Sequence, residues 1–468
     1  MPKAREALAL IGICVAAGTV LANATTVIVA LPDIGTTWSM QTTDLAWVLN
    51  AYNVPFGALL LTGGRLADRL GQRRVLLMGI GVFGASSLLC AVAWWPGVLY
   101  AGRAAQGVAA GLVVPTGLAM LAVIYGEGPR REHAMAIWAT IGACSGSVGL
   151  LSGGLLTEVL AWRAIFAANV VLAVVSIALA RFVRRDDVDH SESFDVAGAV
   201  TLTIGLLAFV LGVSTVRTDR GQAAVALSAT VAGAVLLLLF VGLQRRSAHP
   251  LIPLGALRVR NLAIANTAMF IVVGCPAVAM YLLTLYYQEI HAASTLVTAF
   301  LFLPVSVAVV IGSMTARSLS GRTSTKRILC AACVLVFAGS VLFTRLGEEQ
   351  SYLTEALPAL VPTFVGMGGA FVCLTSLATR TSHESDLGFA SGLISASQQI
   401  GAGFWLALLS ATALGTFRVG SGEATELLGR FDRVFMTLAV MALTAAALVI
   451  AFVRSEHERP RLKSSSAD

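Results

Sequence analysis

The residues of this 468-residue chain with the clearest chemical potential are charged or amide side chains set in otherwise apolar surroundings. Arg103 lies within the run Leu-Tyr-Ala-Gly-Arg103-Ala-Ala-Gln106-Gly107. A guanidinium in such a run costs roughly 2.5–3.5 kcal/mol to place in lipid, so it needs a polar path or a partner. Asn23, Asn50, Asn53, Gln106, Asn169, Asn266, Gln288, Gln398 and Gln399 are likewise isolated amides inside apolar stretches. They are candidates for contact with a polar solute or for hydrogen bonds between helices. Trp405, Tyr286 and Tyr287 offer faces that could stack on an aromatic or cationic solute.

A second set concerns shape and charge at a turn. Gly64-Arg-Leu-Ala-Asp68-Arg69-Leu-Gly71-Gln-Arg73-Arg74 places two glycines around an acid and several arginines. The spacing predicts a tight turn bracketed by Gly64 and Gly71, with Asp68 capping a helix or pairing with an arginine. Gly142, Gly146, Gly149 and Gly153 recur at i, i+4, i+7 and i+11. That spacing puts all four within about 60° on one helix face, where another helix can approach closely. The six His show no ligand spacing, and Cys330-x-x-Cys333 lies in an apolar run without a second pair, so no metal centre is expected. No phosphate-binding loop or nucleophile elbow is present, which argues against an ATP-driven pump or a hydrolase.

The elements that hold these residues follow from composition. The chain is 57% hydrophobic and only 12% charged, with mean hydropathy +0.83. A soluble chain needs about 25% charged residues to coat its surface. Apolar runs of about 20 residues point to spans of a bilayer, and lipid admits helices of that length. Fourteen spans are expected, at 7–31, 43–62, 74–94, 98–125, 134–157, 164–183, 196–216, 222–243, 260–285, 294–316, 327–345, 356–378, 387–415 and 432–453. The first run continues apolar to Leu31, so it reads as a span and not as a cleaved leader. The net charge of +7 sits in short clusters between spans, which fits membrane topology better than nucleic-acid binding. Arg65, Arg69, Arg73, Arg74, Arg130, Arg131, Arg245, Arg246, Arg317 and Arg322 all fall on the side of the termini when the spans alternate. Both termini are thus expected in the cytoplasm, with Trp38, Trp47, Trp94, Trp95 and Trp162 near the outer interface. A Gly-rich fifth and thirteenth span, and short basic loops after the second and tenth, suggest a six-helix unit repeated around a central pair. The expected organisation is 1–185 as one six-helix bundle, 186–256 as two inserted helices and a loop, 257–453 as a second six-helix bundle, and 454–468 as a disordered tail.

The turn motif at Gly64–Arg74 resembles the signature of the major facilitator superfamily. Further stretches resemble its fourteen-helix drug:proton antiporter branch: Trp47-Val-Leu-Asn50-Ala-Tyr52, Trp162-Arg163-Ala-Ile-Phe166-Ala-Ala-Asn169, Phe194-Asp195-Val-Ala-Gly198, His249-Pro250-Leu-Ile-Pro253 and Gln398-Gln399-Ile-Gly401. The resemblance implies an all-α membrane protein with the major facilitator fold. Gly64, Asp68, Arg69, Gly71 and Arg73 would then latch the cytoplasmic side, and Arg103 would assist proton coupling. The glycine face resembles the antiporter motif of the fifth helix, although Leu150 stands where that motif has Pro. The branch also expects an acid in the first helix, and Asn23 occupies that place in Asn23-Ala-Thr25-Thr26-Val-Ile-Val-Ala30-Leu31-Pro32. Asn hydrogen-bonds but does not titrate. Asp33 or Glu289 at a span's outer end could carry protons from the rim, or be solvated end residues.

The resemblance implies export of a small amphipathic organic compound across the cell's inner membrane in exchange for protons. The proton gradient would be the energy source, with no cofactor, no nucleic acid and no obligate protein partner, only membrane lipid and solute. Two alternatives stay open: a proton-uncoupled facilitator or lipid carrier of the same fold, and a non-transporting membrane sensor or scaffold.

Overall fold

The computed structural model describes residues 2–126, 128–180, 182, 195–214, 220–247, 250, 255, 259–347, 351–379, 387–414 and 424–453. Every element among them is helical. In chain order they are α1 (Pro2–Thr26), α2 (Leu31–Trp38), α3 (Thr42–Leu70), α4 (Gln72–Ala91), α5 (Pro96–Tyr125), α6 (Pro129–Leu160), α7 (Arg163–Ala180), α8 (Val196–Ser214) and α9 (Arg220–Arg246). They continue as α10 (Arg260–Val272), α11 (Gly274–Leu285), α12 (Thr295–Leu301), α13 (Leu303–Leu319), α14 (Thr325–Phe343), α15 (Leu357–Thr379), α16 (Leu387–Leu409) and α17 (Ala424–Phe452). Wide π-turns follow α11 at Tyr286–Ile290 and α16 at Ser410–Leu414, and another precedes α15 at Tyr352–Ala356.

Thirteen helical segments among the described residues are long and apolar enough to cross a membrane. The 29-residue α3 makes a fourteenth crossing by length, although its composition is more polar. Its Asp44, Asn50 and Asn53 lower its hydropathy because this helix faces protein on two sides, packing on α5 and on α16. The expected fourteen spans are therefore all helical, and an even number of crossings puts α1's start and α17's end on one side. That side is called proximal here, and the opposite one distal.

Packing shows the internal repeat directly. In the N-terminal half, α3 and α4 flank α5, and α4 packs on α7. In the C-terminal half, α13 and α14 flank α15 in the same way, and α14 packs on α17. The pairing of α1 with α6 likewise recurs as α10 with α16. The halves then meet through exchanged partners, α16 against α3 and α6 against α12 and α13. Helices α8 and α9 form a hairpin whose α8 lies against α3 and α16. Its start is fixed by Asp195, which accepts from the Gly198 N–H at 2.7 Å and from Gln244 Nε2 at 2.6 Å. The partition expected at 185/186 and 256/257 falls on residues outside the described ones, as does the tail from 454.

Three expectations about the backbone change. The first apolar run is not one helix to Leu31: α1 ends at Thr26, a turn covers 27–30, and α2 begins with Pro32 in its first turn. Proline's fixed φ suits a helix start and cannot continue the preceding ladder. Gly64 does not bracket a turn either. It lies within α3, and Gly71 alone reverses the chain, at φ 91° and ψ 127°. Glycine adopts a positive φ without a Cβ clash, and one such residue suffices for the corner between α3 and α4. Asp68 is consequently in the last turn of α3 and not at a helix start; its side chain lies outside the described residues.

Candidate functional site

Arg103 is the largest fully buried side chain among the described residues. It sits near the distal end of α5, where Gly102 and Gly107 let neighbouring helices close in; a Cβ on Gly102 would collide with Cys90 and one on Gly107 with the Tyr52 backbone. Its Nε donates to the Val48 carbonyl at 3.0 Å and its Nη1 to Gln106 Oε1 at 2.9 Å. The guanidinium carbon lies 4.4 Å from the Tyr52 ring centre. Nη2 has no hydrogen-bond partner. An arginine placed this way is held by carbonyl dipoles and a π face instead of a carboxylate.

Gln106 joins that charge to an amide chain. Its Nε2 donates to Ser87 Oγ at 2.8 Å, and its Oε1 also receives Asn23 Nδ2 at 3.3 Å. Asn169 Nδ2 donates to Asn23 Oδ1 at 2.9 Å. The network therefore ties α1, α3, α4, α5 and α7 together inside the N-terminal half. Four sequence candidates, Asn23, Arg103, Gln106 and Asn169, meet in it. Ser87 and Tyr52 complete it; Ser87 gave no signal in an apolar helix, and Tyr52 stood out only within the Trp47–Tyr52 stretch.

A second group lines the seam between the halves. Asn50 is fully buried and neither of its amide atoms has a hydrogen-bond partner. It faces Gly403 of α16, whose added Cβ would stand 3.4 Å from Asn50 Oδ1. Gly57 presses against Gln399 and Ile400 on the same seam. Asn53 and Gln398 are half-buried on α3 and α16. Two candidates instead brace the C-terminal half: Asn266 Oδ1 accepts from Ser397 Oγ at 2.8 Å, and Trp405 Nε1 donates to the Phe270 carbonyl at 2.8 Å. Trp405 also packs edge-on against Phe404. Tyr286 and Tyr287 are buried in an aromatic cluster with His291, Phe302 and Tyr352, so neither belongs to an interfacial belt.

The glycine face divides in two. Gly149 and Gly153 lie against Thr25, Thr26 and Ala22 of α1, so close that an added Cβ would meet α1 backbone. Thr25 Oγ1 donates across this contact to the Gly146 carbonyl at 3.1 Å. Gly142 and Gly146 have open space where a side chain would stand. Helices α1 and α6 also meet nearer their middles, where Gly18 lies against Ile141, but the four glycines do not form one continuous contact. Gly154 presses on Thr295, Leu296 and Ala299 of α12 instead.

Distal contacts also join the halves. Tyr281 Oη donates to the Thr42 carbonyl at 2.5 Å, and Gln288 Nε2 to the Val29 carbonyl at 2.8 Å. Thr295 Oγ1 donates to Asp33 Oδ2 at 3.1 Å, and the Leu296 N–H reaches Glu158 Oε2 at 3.5 Å. Gln288, expected as a cavity residue, belongs to this distal seam. In the proximal turn motif, Arg65 donates to the Pro250 carbonyl and so ties α3 to the segment before α10. Gly64 again faces open space. No group of three or more His, Cys, Asp or Glu able to hold a metal occurs among the described residues.

The sequence model of the Major Facilitator Superfamily matches residues 13–406. The chain is 33% identical to the puromycin resistance protein pur8 of Streptomyces alboniger, over 88% of this chain and 83% of that protein. It is 33% identical to the cephamycin export protein CmcT of Amycolatopsis lactamdurans, over 94% and 91% of the two chains. The lincomycin resistance protein of Streptomyces lincolnensis is 30% identical over 92% and 87%. Among solved structures, a proton-dependent oligopeptide transporter family member, PepTSo, superposes with TM-score 0.68 at 12% identity, covering 95% of this chain and 97% of that one. A bacterial homologue of the human lysosomal transporter Spinster, in an inward-facing conformation, gives TM-score 0.66 at 12% identity, covering 96% of each. At such identities the structures speak for the fold.

Proposed function

Because the chain belongs to the Major Facilitator Superfamily and is a multi-pass membrane transporter, we propose that it exports small amphipathic organic compounds of the antibiotic and drug class across the cell's inner membrane. The observation that carries the mechanism is the distal seam: among the described residues, the halves are hydrogen-bonded at the distal end through Tyr281, Gln288, Thr295 and Leu296. With both termini in the cytoplasm, this arrangement is the state closed to the outside. Rocking of one half against the other would break those bonds and open the seam outward. The similarity to puromycin, cephamycin and lincomycin resistance or export proteins supports the solute class. Asn50, Asn53, Gln398 and Gln399 at the α3–α16 seam are the polar groups offered to the solute. Asn50 is the foremost of these, since its buried amide gains partners only when the seam admits solute or water. Asp68, Arg69, Gly71 and Arg73 latch the cytoplasmic side in the opposite state.

Expression in an efflux-deficient host, with a panel of dyes and antibiotics, tests this reading. Lowered accumulation of at least one compound is the expected result; accumulation equal to the empty-vector control for all of them rejects drug export. An uncoupler separates proton exchange from the second reading, a proton-independent facilitator. That second reading is favoured by one observation: Asn23, next to the Arg103–Gln106 pair, cannot bind and release a proton.

A further inference from the structure

We propose that Asp33 and Glu158 form a latch, sensitive to external pH, that holds the two halves together at the distal end. The inference rests on the reading that the halves rock and that the distal end faces outward; it does not depend on which solute is carried or on proton-driven transport.

Both acids come from the N-terminal half and both reach the same short stretch of the other half. Asp33 stands in the first turn of α2, beyond the α1 span, and is half-buried. Its Oδ2 accepts from Thr295 Oγ1 at 3.1 Å. Glu158, near the end of α6, is exposed, and its Oε2 faces the Leu296 N–H at 3.5 Å. Gly154, one turn earlier on α6, packs directly on Thr295, Leu296 and Ala299, which brings the two carboxylates to one edge of the seam. A side chain at position 154 would push α12 away and separate both contacts.

The other titratable or charged groups on the surrounding elements have partners or lie on their own surfaces. Helix α2 packs on α3 and α11. On α3, Asp44 accepts from the Gln41 N–H at 3.1 Å. Beyond α11, Glu289 and His291 lie on and just after the π-turn, and His291 stacks edge-on to Tyr286 at 4.6 Å. On α7, Arg163 covers the Trp162 ring at 4.3 Å and donates to the Ala93 carbonyl at 3.0 Å. Helix α12 itself carries no ionisable side chain.

Closing the seam changes the proton affinity of Asp33. Burial lifts its carboxyl above the ordinary carboxylate range; the Thr295 hydroxyl pulls it back in part, and the negative Glu158 adds to the lift. When the distal end opens, Asp33 regains water and returns toward the ordinary value. The closed state therefore binds the proton more tightly, and acid outside favours closure. This contribution is complete below the open-state value and is lost as the external pH rises through the raised, closed-state value. Above that range, the cost of burying a charged Asp33 in the closed seam favours opening.

The test uses the full-length protein in lipid nanodiscs without added solute. Spin labels are placed at Leu160→Cys on α6 and Val297→Cys on α12, both exposed, in a Cys144→Ser, Cys330→Ser background. Double electron–electron resonance then reads the distance distribution from pH 8 to pH 4.5. The expected result is a short-distance population that grows as pH falls, by at most about tenfold in the closed-to-open ratio per pH unit for one titrating group. Asp33→Asn holds the closed distance at every pH, and Glu158→Gln moves the midpoint to lower pH. A parent distribution that ignores pH overturns the proposal, as does one that opens in acid. An unaltered pH response in Asp33→Asn together with Glu158→Gln does the same. Because no solute is present, a negative result here leaves the efflux assay untouched, and a silent efflux assay leaves this measurement readable.

Discussion

Arg103 and Gln106, three residues apart on α5, share a 2.9 Å hydrogen bond from Nη1 to Oε1, and the same Oε1 also receives Asn23 at 3.3 Å. One oxygen thus links the buried positive charge to the position where an acid would ordinarily be sought. The Arg103 charge is therefore stabilised by dipoles and the Tyr52 ring and not by a carboxylate, and its contacts are geometric as much as electrostatic.

Replacing Arg103 by Lys keeps the charge and loses the fork. A single ammonium cannot span both Val48 O and Gln106 Oε1 in the guanidinium geometry. Solute flux in proteoliposomes is expected to fall by at least tenfold, while the protein still elutes as a folded species. Wild-type flux in Arg103→Lys would remove this arginine from the transport cycle.

Asn23→Asp puts a carboxylate one amide away from the guanidinium. The variant gains a titratable group inside the bundle, stabilised by the neighbouring positive charge. Flux driven by an imposed pH gradient should then exceed that of the parent and should acquire a titration step absent from the parent's pH profile. Equal pH profiles in the two proteins would show that coupling resides elsewhere.

The two halves of the glycine face make paired controls. Gly153→Ala forces a methyl group into the Thr26 backbone of α1, which overpacks the contact by about 1–3 kcal/mol. Gly142→Ala meets open space and gains about 0.5–1 kcal/mol of helix propensity. Thermal denaturation of the purified variants should place Gly153→Ala below the parent and Gly142→Ala at or above it. The reverse order would mean that α1 and α6 pack differently in the membrane.

Tyr281→Phe deletes the hydroxyl that bonds Thr42 across the distal seam and nothing else. Losing about 1 kcal/mol from the closed state shifts the closed-to-open ratio by about fivefold. The long-distance population of the Leu160→Cys/Val297→Cys spin-label pair should rise accordingly; an unchanged distribution would mean this bond does not hold the seam.

Thr295→Val removes the hydrogen bond that lowers the Asp33 value while leaving burial in place. The closed-state carboxyl should then titrate at higher pH, so the midpoint of the pH-dependent closure moves up. A downward shift would mean that loss of the Thr295 contact exposes Asp33 to water.

Much of the architecture was legible because lipid imposes one-dimensional rules. Apolar runs long enough to span must be helices, and the arginine clusters set which ends lie together. Even so, α3 passed as an ordinary span in sequence, and its polar residues found their reason only when two packed faces became visible. Gly64 and Gly71 looked equivalent by spacing, yet only Gly71 needs a positive φ. Likewise, Gly142 and Gly153 share one face of α6, but only Gly153 lies against α1.

The sequence by itself determined which segments span the membrane and the repeat of a six-helix unit, because these follow from composition and local spacing along the chain, and the Gly64–Arg74 motif carried the resemblance to the family. Only the tertiary structure decided which isolated polar groups meet. Arg103 and Asn169 join through Gln106 and Asn23, while Asp33 and Thr295 touch across 262 positions of chain. The physical reason is that hydropathy is indifferent to partner choice. A buried amide or acid must find a hydrogen bond, and helix tilt and seam closure, properties of the packed molecule, select which one it finds.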